Sequence, residues 1–343
     1  MRQTYTHPYP ITLESGRTID KLTIAYDTFG TMSETGDNVI WVMHALTADS
    51  DVADWWPHTV ESGRFLDPQK WFVVCANVLG SCYGTSGPQK IDTATGEPYF
   101  DSFPDVTVRD MVMCHKILAQ HLGIKKISTM IGSSLGGFQA IEWLVNDPEI
   151  ADKAVLIATD FQCRPWLAAI NKAMYMAIEA DSTFGQRRRD AGAKGLAAAR
   201  AIGLLSYRSQ PAYDLTQADG DREKDPFTRR VHSYQAYQGK KLCDRYDVYS
   251  YMRMCRSTDS HDVGRGRGGH ARALSRVKAD CLVVAISSDI LFPPSYHHEL
   301  TEMLPRAEYH EINSEFAHDG FLIESEKLNT LICDFYSRTN KTK

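Results

Sequence analysis

The chain has 343 residues, 43% hydrophobic and 24% charged, with a net charge of −5. It is long enough for one large core plus an insertion, and its acidic balance, with no basic face carrying interleaved aromatics, argues against a nucleic-acid partner. Eight cysteines at positions 75, 82, 114, 163, 243, 255, 281 and 333 include no C-x-x-C pair and often lie in apolar runs, so reduced, buried thiols are expected.

The N-terminal Met1 to Pro10 has no apolar leader core, and no later run reaches membrane-spanning length, so a cytoplasmic chain without membrane contact is expected. Continuous apolar runs then predict strands at Leu22 to Thr28, Ile40 to Met43 and Trp71 to Ala76, each suited to burial on both faces. The second leads into His44-Ala45-Leu46-Thr47, whose Leu46 N–H is the candidate donor to an oxyanion. His44 and Asp49 also admit a metal-ligand reading, but no cluster with zinc-type spacing surrounds them, and no metal is expected.

A fourth strand, Ile127 to Ile131, runs into Gly132-Ser133-Ser134-Leu135-Gly136. Phe138, Ile141, Trp143, Leu144 and Val145 then recur near a 3.6-residue period, and Asp147-Pro148 stops the helix. A sharp strand-to-helix turn strains the serine backbone and needs small neighbours, so Ser134 is either an exposed nucleophile or part of a structural turn. As nucleophile, it would find the N–H of Leu135 beside it at the positive end of the helix dipole.

After a strand at Ala154 to Ala158, the stretch from Cys163 to Gly269 interrupts the strand-and-helix alternation. Trp166 to Ala180 carries an apolar stripe through Leu167, Ile170, Met174 and Ile178, while Ala191 to Leu205 is alanine-rich. Gln217 to Arg230 reads as a charged loop. The expected organisation is a core formed by residues 1–162 and 270–343, with residues 163–269 inserted as helices. Arg187-Arg188-Arg189 and Arg265-Gly266-Arg267 read as solvated surface, with an anionic ligand as the alternative.

The alternation resumes at Cys281 to Ile286, followed by Ser287-Ser288-Asp289, and at Ala307 to Ile312, followed by a polar loop to His318-Asp319-Gly320. A serine nucleophile needs a base and an orienter, and on a strand–turn–helix scaffold these follow in the order acid, then histidine. Asp289 and His318 fill that order. The polar tail Ser337 to Lys343 is expected to fray.

These segments together resemble the homoserine O-acetyltransferases of the α/β-hydrolase superfamily and their relatives that acetylate or succinylate serine or homoserine. The likeness rests on His44-Ala45-Leu46-Thr47-Ala48-Asp49-Ser50, Asn77 to Pro88, Phe103-Pro104 with Thr107 to Met111, Gly132 to Gln139, and His318 to Leu322, in the family's order. It implies an α/β-hydrolase fold with a mostly parallel sheet under a helical lid. It also implies a cofactor-free acyl transfer: Ser134 takes an acetyl group from acetyl-coenzyme A and passes it to the homoserine hydroxyl, as a step of methionine biosynthesis. Ping-pong kinetics, a covered site and a homodimer belong to the same expectation.

The resemblance further assigns Asp319 to the substrate ammonium and Tyr207 to the lid wall near the substrate. It places an arginine for the α-carboxylate in the first lid helix, where this chain reads Asn171-Lys172-Ala173-Met174-Tyr175-Met176-Ala177-Ile178. Tyr175 stands in the arginine's place and brings no charge. Lys172, three residues earlier, is the substitute cation, or else it is solvated and Tyr175 simply packs. Ser133 replaces a family glycine, either narrowing the acyl site or harmless. Succinyl transfer, transfer to serine or another alcohol, simple hydrolysis and a catalytically silent binding protein stay open as alternatives.

Overall fold

A computed structural model describes residues 2–220 and 226–339. Its eight-stranded sheet is built from β1 (Gln3–Thr6), β2 (Thr23–Phe29), β3 (Val39–Met43), β4 (Phe72–Ala76), β5 (Ile127–Ser133), β6 (Ala151–Ile157), β7 (Asp280–Ile286) and β8 (Ala307–Ile312). The strand order is β1-β2-β4-β3-β5-β6-β7-β8. β1 and β2 pair antiparallel, as do β2 and β4, and every pairing from β4 to β8 is parallel. The seven expected strands lie within a few residues of their places. β1 was not expected, because polar Gln3-Thr4-Tyr5-Thr6 is an exposed edge strand without an apolar run.

Period-two alternation divides the central strands between two cores. On β3, Val39, Trp41 and Met43 join one cluster while Ile40 and Val42 join the other; on β7, Cys281 and Val283 oppose Leu282, Val284 and Ile286. Burial on both faces is the physical reason these strands read as unbroken apolar runs. Helices α1 (Val108–His121) and α2 (Leu135–Asn146) cover the first face. The Thr107-to-Met111 signature proves to be a capping box: the Thr107 side chain accepts from the Asp110 amide, and the Thr107 amide donates to the Asp110 carboxylate at 2.9 Å.

Between β6 and β7 lie α3 (Pro165–Glu179), α4 (Ala193–Tyr207), α5 (Gln210–Thr216), α6 (Arg230–Cys243) and α7 (Val248–Asp259); α8 (Pro294–Met303) and α9 (Ser325–Thr339) complete the core. The loop expected over Gln217 to Arg230 includes residues 221–225, which lie outside the described residues, as do the last four of the tail. Ser337 to Thr339 continue α9, where fraying was expected.

The arginine clusters are not simply solvated. Arg267 forks onto the buried carboxylate of Glu142 on α2, Arg265 pairs with Glu14 at 2.8 Å, and Arg187 pairs with Asp101. With Arg253 and Arg256 on Asp105, they tether the inserted helices to the core. All eight cysteines are free. No helix among the described residues is long and apolar enough to cross a membrane.

Candidate active site

Ser134 follows β5 directly and caps α2 with φ 54° and ψ −123°, a conformation L-residues rarely adopt. Neighbouring hydrogen bonds hold it there: its amide donates to the Ile157 carbonyl at 3.0 Å, and its carbonyl accepts from the Thr159 hydroxyl at 2.8 Å. The flanking glycines are required by close packing. A Cβ on Gly132 would lie 2.3 Å from the Gly136 carbonyl oxygen, and one on Gly136 would lie 2.0 Å from the Met43 carbonyl oxygen. Ser133 is 1% exposed and does not line the cavity over Ser134, so its side chain does not narrow that space.

Asp289 leaves the end of β7, and His318 leaves the loop after β8. The His318 Nδ1 lies 2.7 Å from Asp289 Oδ2, and Asp289 Oδ1 accepts from the amides of Leu291 at 2.7 Å and Phe292 at 3.0 Å. Three donors around one carboxylate assign the His318 proton to Nδ1. The Nε2 lone pair is thereby left to take a proton. The imidazole sits between the rings of Phe292 and Phe321, each 5.4 Å away.

Ser134 and His318 line one cavity with Leu46, Leu135, Phe138, Leu167, Asn171, Arg200, Tyr207, Thr258 and Asp319. It encloses about 690 Å³, counting the space open to solvent. Leu135 is the first residue of α2, so its amide has no acceptor within the helix. Leu46 follows a well-fixed turn: the buried His44 accepts from the Val78 amide on Nε2 at 3.2 Å, so its Nδ1–H donates to the Ala45 carbonyl at 2.8 Å. Burial lowers the His44 pKa and keeps the ring neutral. Asp49, the other half of the metal reading, pairs with Arg2 at 2.8 Å, and the described residues hold no His/Cys/Asp/Glu group suited to a metal.

At Lys172 and Tyr175 the roof takes the second of the two readings open to it, and neither residue lines the cavity. Lys172 points to solvent and pairs with Glu179 at 3.4 Å, because residues three apart on α3 differ in angle enough to separate it from the buried Tyr175. Tyr175 donates its hydroxyl to Asp259 Oδ2 at 2.6 Å and does not line the cavity either. The cationic side chain that lines the cavity with Ser134 is Arg200 on α4, its guanidinium 5.5 Å from the centre of the Tyr207 ring. Sequence reasoning missed it. The available signal was spacing, since Arg200 and Tyr207 stand seven residues apart, two turns on one helical face.

Asp319 and Tyr207 line the cavity, with the Tyr207 ring 6.0 Å from that of His318. One Asp319 oxygen accepts from Arg208 Nε at 2.9 Å, leaving the other for a cationic ligand. The inserted helices also reach the turn at Leu46. Tyr246 donates to the Leu46 carbonyl at 3.4 Å, and Arg245 donates to the Thr47 carbonyl.

Known proteins carry the same arrangement of chain. Residues 38–323 match the family described as alpha/beta hydrolase fold. The chain is 41% identical over 330 residues to a homoserine O-acetyltransferase of Cyclobacterium marinum, covering 96% of this chain and 93% of that one. It is also 41% identical over 352 residues to a homoserine O-acetyltransferase of Moorella thermoacetica, with 94% and 92% covered. Among solved structures, the homoserine O-acetyltransferase of Bacillus anthracis superposes with a TM-score of 0.90 at 24% identity, over 98% of this chain and 97% of that one. Esterase E22 superposes with a TM-score of 0.88 at 21% identity, over 98% and 99%, a likeness of fold alone.

Proposed function

Because this chain belongs to the homoserine O-acetyltransferase family of the alpha/beta hydrolase fold, and is thus an O-acyltransferase, we propose that it moves an acetyl group from acetyl-coenzyme A to the hydroxyl of L-homoserine. The transfer runs through an ester on Ser134. His318 Nε2 takes the Ser134 hydroxyl proton as the oxygen attacks the thioester carbonyl, and Asp289 steadies the resulting imidazolium. The Leu46 and Leu135 N–H groups face the developing oxyanion. Collapse expels the coenzyme A thiolate, which leaves with the proton from His318. The homoserine hydroxyl then gives its proton to His318 and attacks the acetyl-serine ester; collapse breaks the ester bond to Ser134, whose departing oxygen takes that proton back from His318, releasing O-acetylhomoserine.

The observation that carries this reading is Arg200 in the cavity that holds Ser134 and His318. A guanidinium there suits the α-carboxylate of a free amino acid, and Asp319 suits its ammonium. The apolar Phe138, Leu167 and Leu291 in the same lining favour excluding the water that would hydrolyse the acyl-enzyme. No resident cofactor enters this chemistry. The reading extends to a cytoplasmic step of methionine biosynthesis. It extends also to a homodimer joined through the inserted helices, which expose Met176 and Leu205.

Thiol release from acetyl-coenzyme A tests the proposal, with homoserine, serine or no acceptor added and succinyl-coenzyme A run in parallel. Homoserine-dependent release with double-reciprocal lines that stay parallel as acceptor varies is expected. A second reading, ester hydrolysis, is favoured by the cavity's opening to solvent, and release that ignores every acceptor would establish it instead.

A further inference from the structure

Asn171 sits in the cavity lining yet is only 2% exposed, and its orientation is fully determined. Its Nδ2 donates one hydrogen to Asp259 Oδ1 at 2.6 Å and the other to Thr258 Oγ1 at 3.0 Å. Thr258 is free to accept because its own hydroxyl hydrogen goes to the Cys255 carbonyl at 2.6 Å. Asp259 is fixed in turn by the Tyr175 hydroxyl on its other oxygen. Burial raises the Tyr175 pKa and keeps the phenol a donor. An amide oxygen turned toward the Asp259 carboxylate would be repelled, so the O and N positions cannot exchange.

With both hydrogens used, the polar atom that Asn171 has left for a ligand is Oδ1. We propose that Asn171 Oδ1 is a specificity-determining acceptor for an N–H group of the substrate, held in register by Tyr175 through Asp259. A neutral carbonyl oxygen attracts N–H donors and disfavours carboxylates and ester oxygens. Resting on the acetyl-transfer reading, the N–H has two sources with the same chemistry: the α-ammonium of the acceptor, or an amide of the pantetheine arm of the donor. The chain of contacts also gives Tyr175 a role at a distance from the cavity.

The test compares wild type with Asn171→Leu, similar in shape but without an acceptor, on two substrate pairs. The donor pair is S-acetylpantetheine against S-acetyl-ethanethiol, followed by the rate of the single-turnover burst of thiol that acylation of Ser134 releases with no acceptor present. The acceptor pair is homoserine against 4-hydroxybutanoate, which lacks the ammonium, at a fixed acetyl-coenzyme A concentration. In one pair, the burst rate (donors) or kcat/KM (acceptors) for the N–H-bearing member should fall about tenfold or more while its partner stays within about twofold. The affected pair identifies the source. Tyr175→Phe should give a smaller loss confined to that same pair, and it serves as the test should Asn171→Leu fail to fold. Equal losses in both members of each pair, or no loss in either, would overturn the proposal. The donor pair needs no amino-acid acceptor, so wild-type failure to acetylate homoserine is read separately from the Asn171 result.

Discussion

The floor and the roof of the cavity are built by different physics. Ser134, Asp289 and His318 follow the C-terminal ends of β5, β7 and β8, so parallel pairing of those strands already brings them together. Arg200, Tyr207 and Asn171 hang from α4 and α3, and their approach depends on helical phase and on how α3, α4 and α7 pack. The floor is therefore over-determined by the sheet. The roof is positioned by packing and by tethers such as Arg187 to Asp101 and Arg253 to Asp105, which are partly exposed to solvent.

The sharpest way to separate the two is to remove chemistry from the floor. Ser134→Ala should lower turnover by about 10⁴-fold or more, and adding His318→Ala should cost little further, because the two act as a unit. Steady-state thiol release and the loss of any acetylated protein by mass spectrometry check this. A Ser134→Ala enzyme with near-normal turnover would remove the floor from the mechanism altogether.

Acid should weaken floor and roof together, because His115 and His297 belong to the core helices and His261 to the inserted segment. His115 and His297 are pushed down to about 4 and His261 to about 3, in each case by burial, and His297 accepts from the Thr159 amide directly behind the Ser134 elbow. Folded, these rings bind fewer protons than unfolded, so their contribution is complete above the ordinary value of 6.5 and is lost as pH falls toward 4. A shift of that size corresponds to roughly 3 kcal/mol for a fully buried group. Asp160, raised to about 6 by burial, acts in the opposite sense between 3.8 and 6, one carboxylate against three imidazoles. The melting temperature should thus drop steeply between pH 6.5 and 4, and His297→Gln should flatten that drop.

Roof substitutions should alter affinity more than turnover. Arg200→Ala is expected to weaken homoserine by about 2 kcal/mol, roughly thirtyfold in KM, whereas Lys172→Ala should leave KM within about twofold. Reversal of that ranking would restore Lys172 as the carboxylate partner. A smaller effect than that of Arg200→Ala is expected where roof meets floor. Tyr246→Phe removes the hydroxyl that holds the Leu46 carbonyl and should lower kcat severalfold with KM for homoserine unchanged, measured at saturating acetyl-coenzyme A.

The same contrast explains what could be read in advance. The β5 run and the G-x-S-x-G turn are local: an apolar strand, glycines where backbones meet and a helix start are all written in consecutive residues. Asp289 and His318 were legible because each follows its own strand. Arg200 was not, because its seven-residue spacing from Tyr207 places the two on one helical face but does not say whether that face looks into the cavity or to solvent. Tyr175 was left between two readings for a related reason. Its position in the first inserted helix was correct, but whether its hydroxyl meets a ligand or Asp259 depends on α7, more than 80 residues later in the chain.

What the amino-acid order determined alone is the sheet with its strand-end residues, since burial on both faces and tight turns are demands each segment meets for itself. Tertiary structure alone decided which helix faces look into the cavity. There a rotation of one residue, about 100°, decides between substrate and solvent, and only the packing of one helix against another sets it.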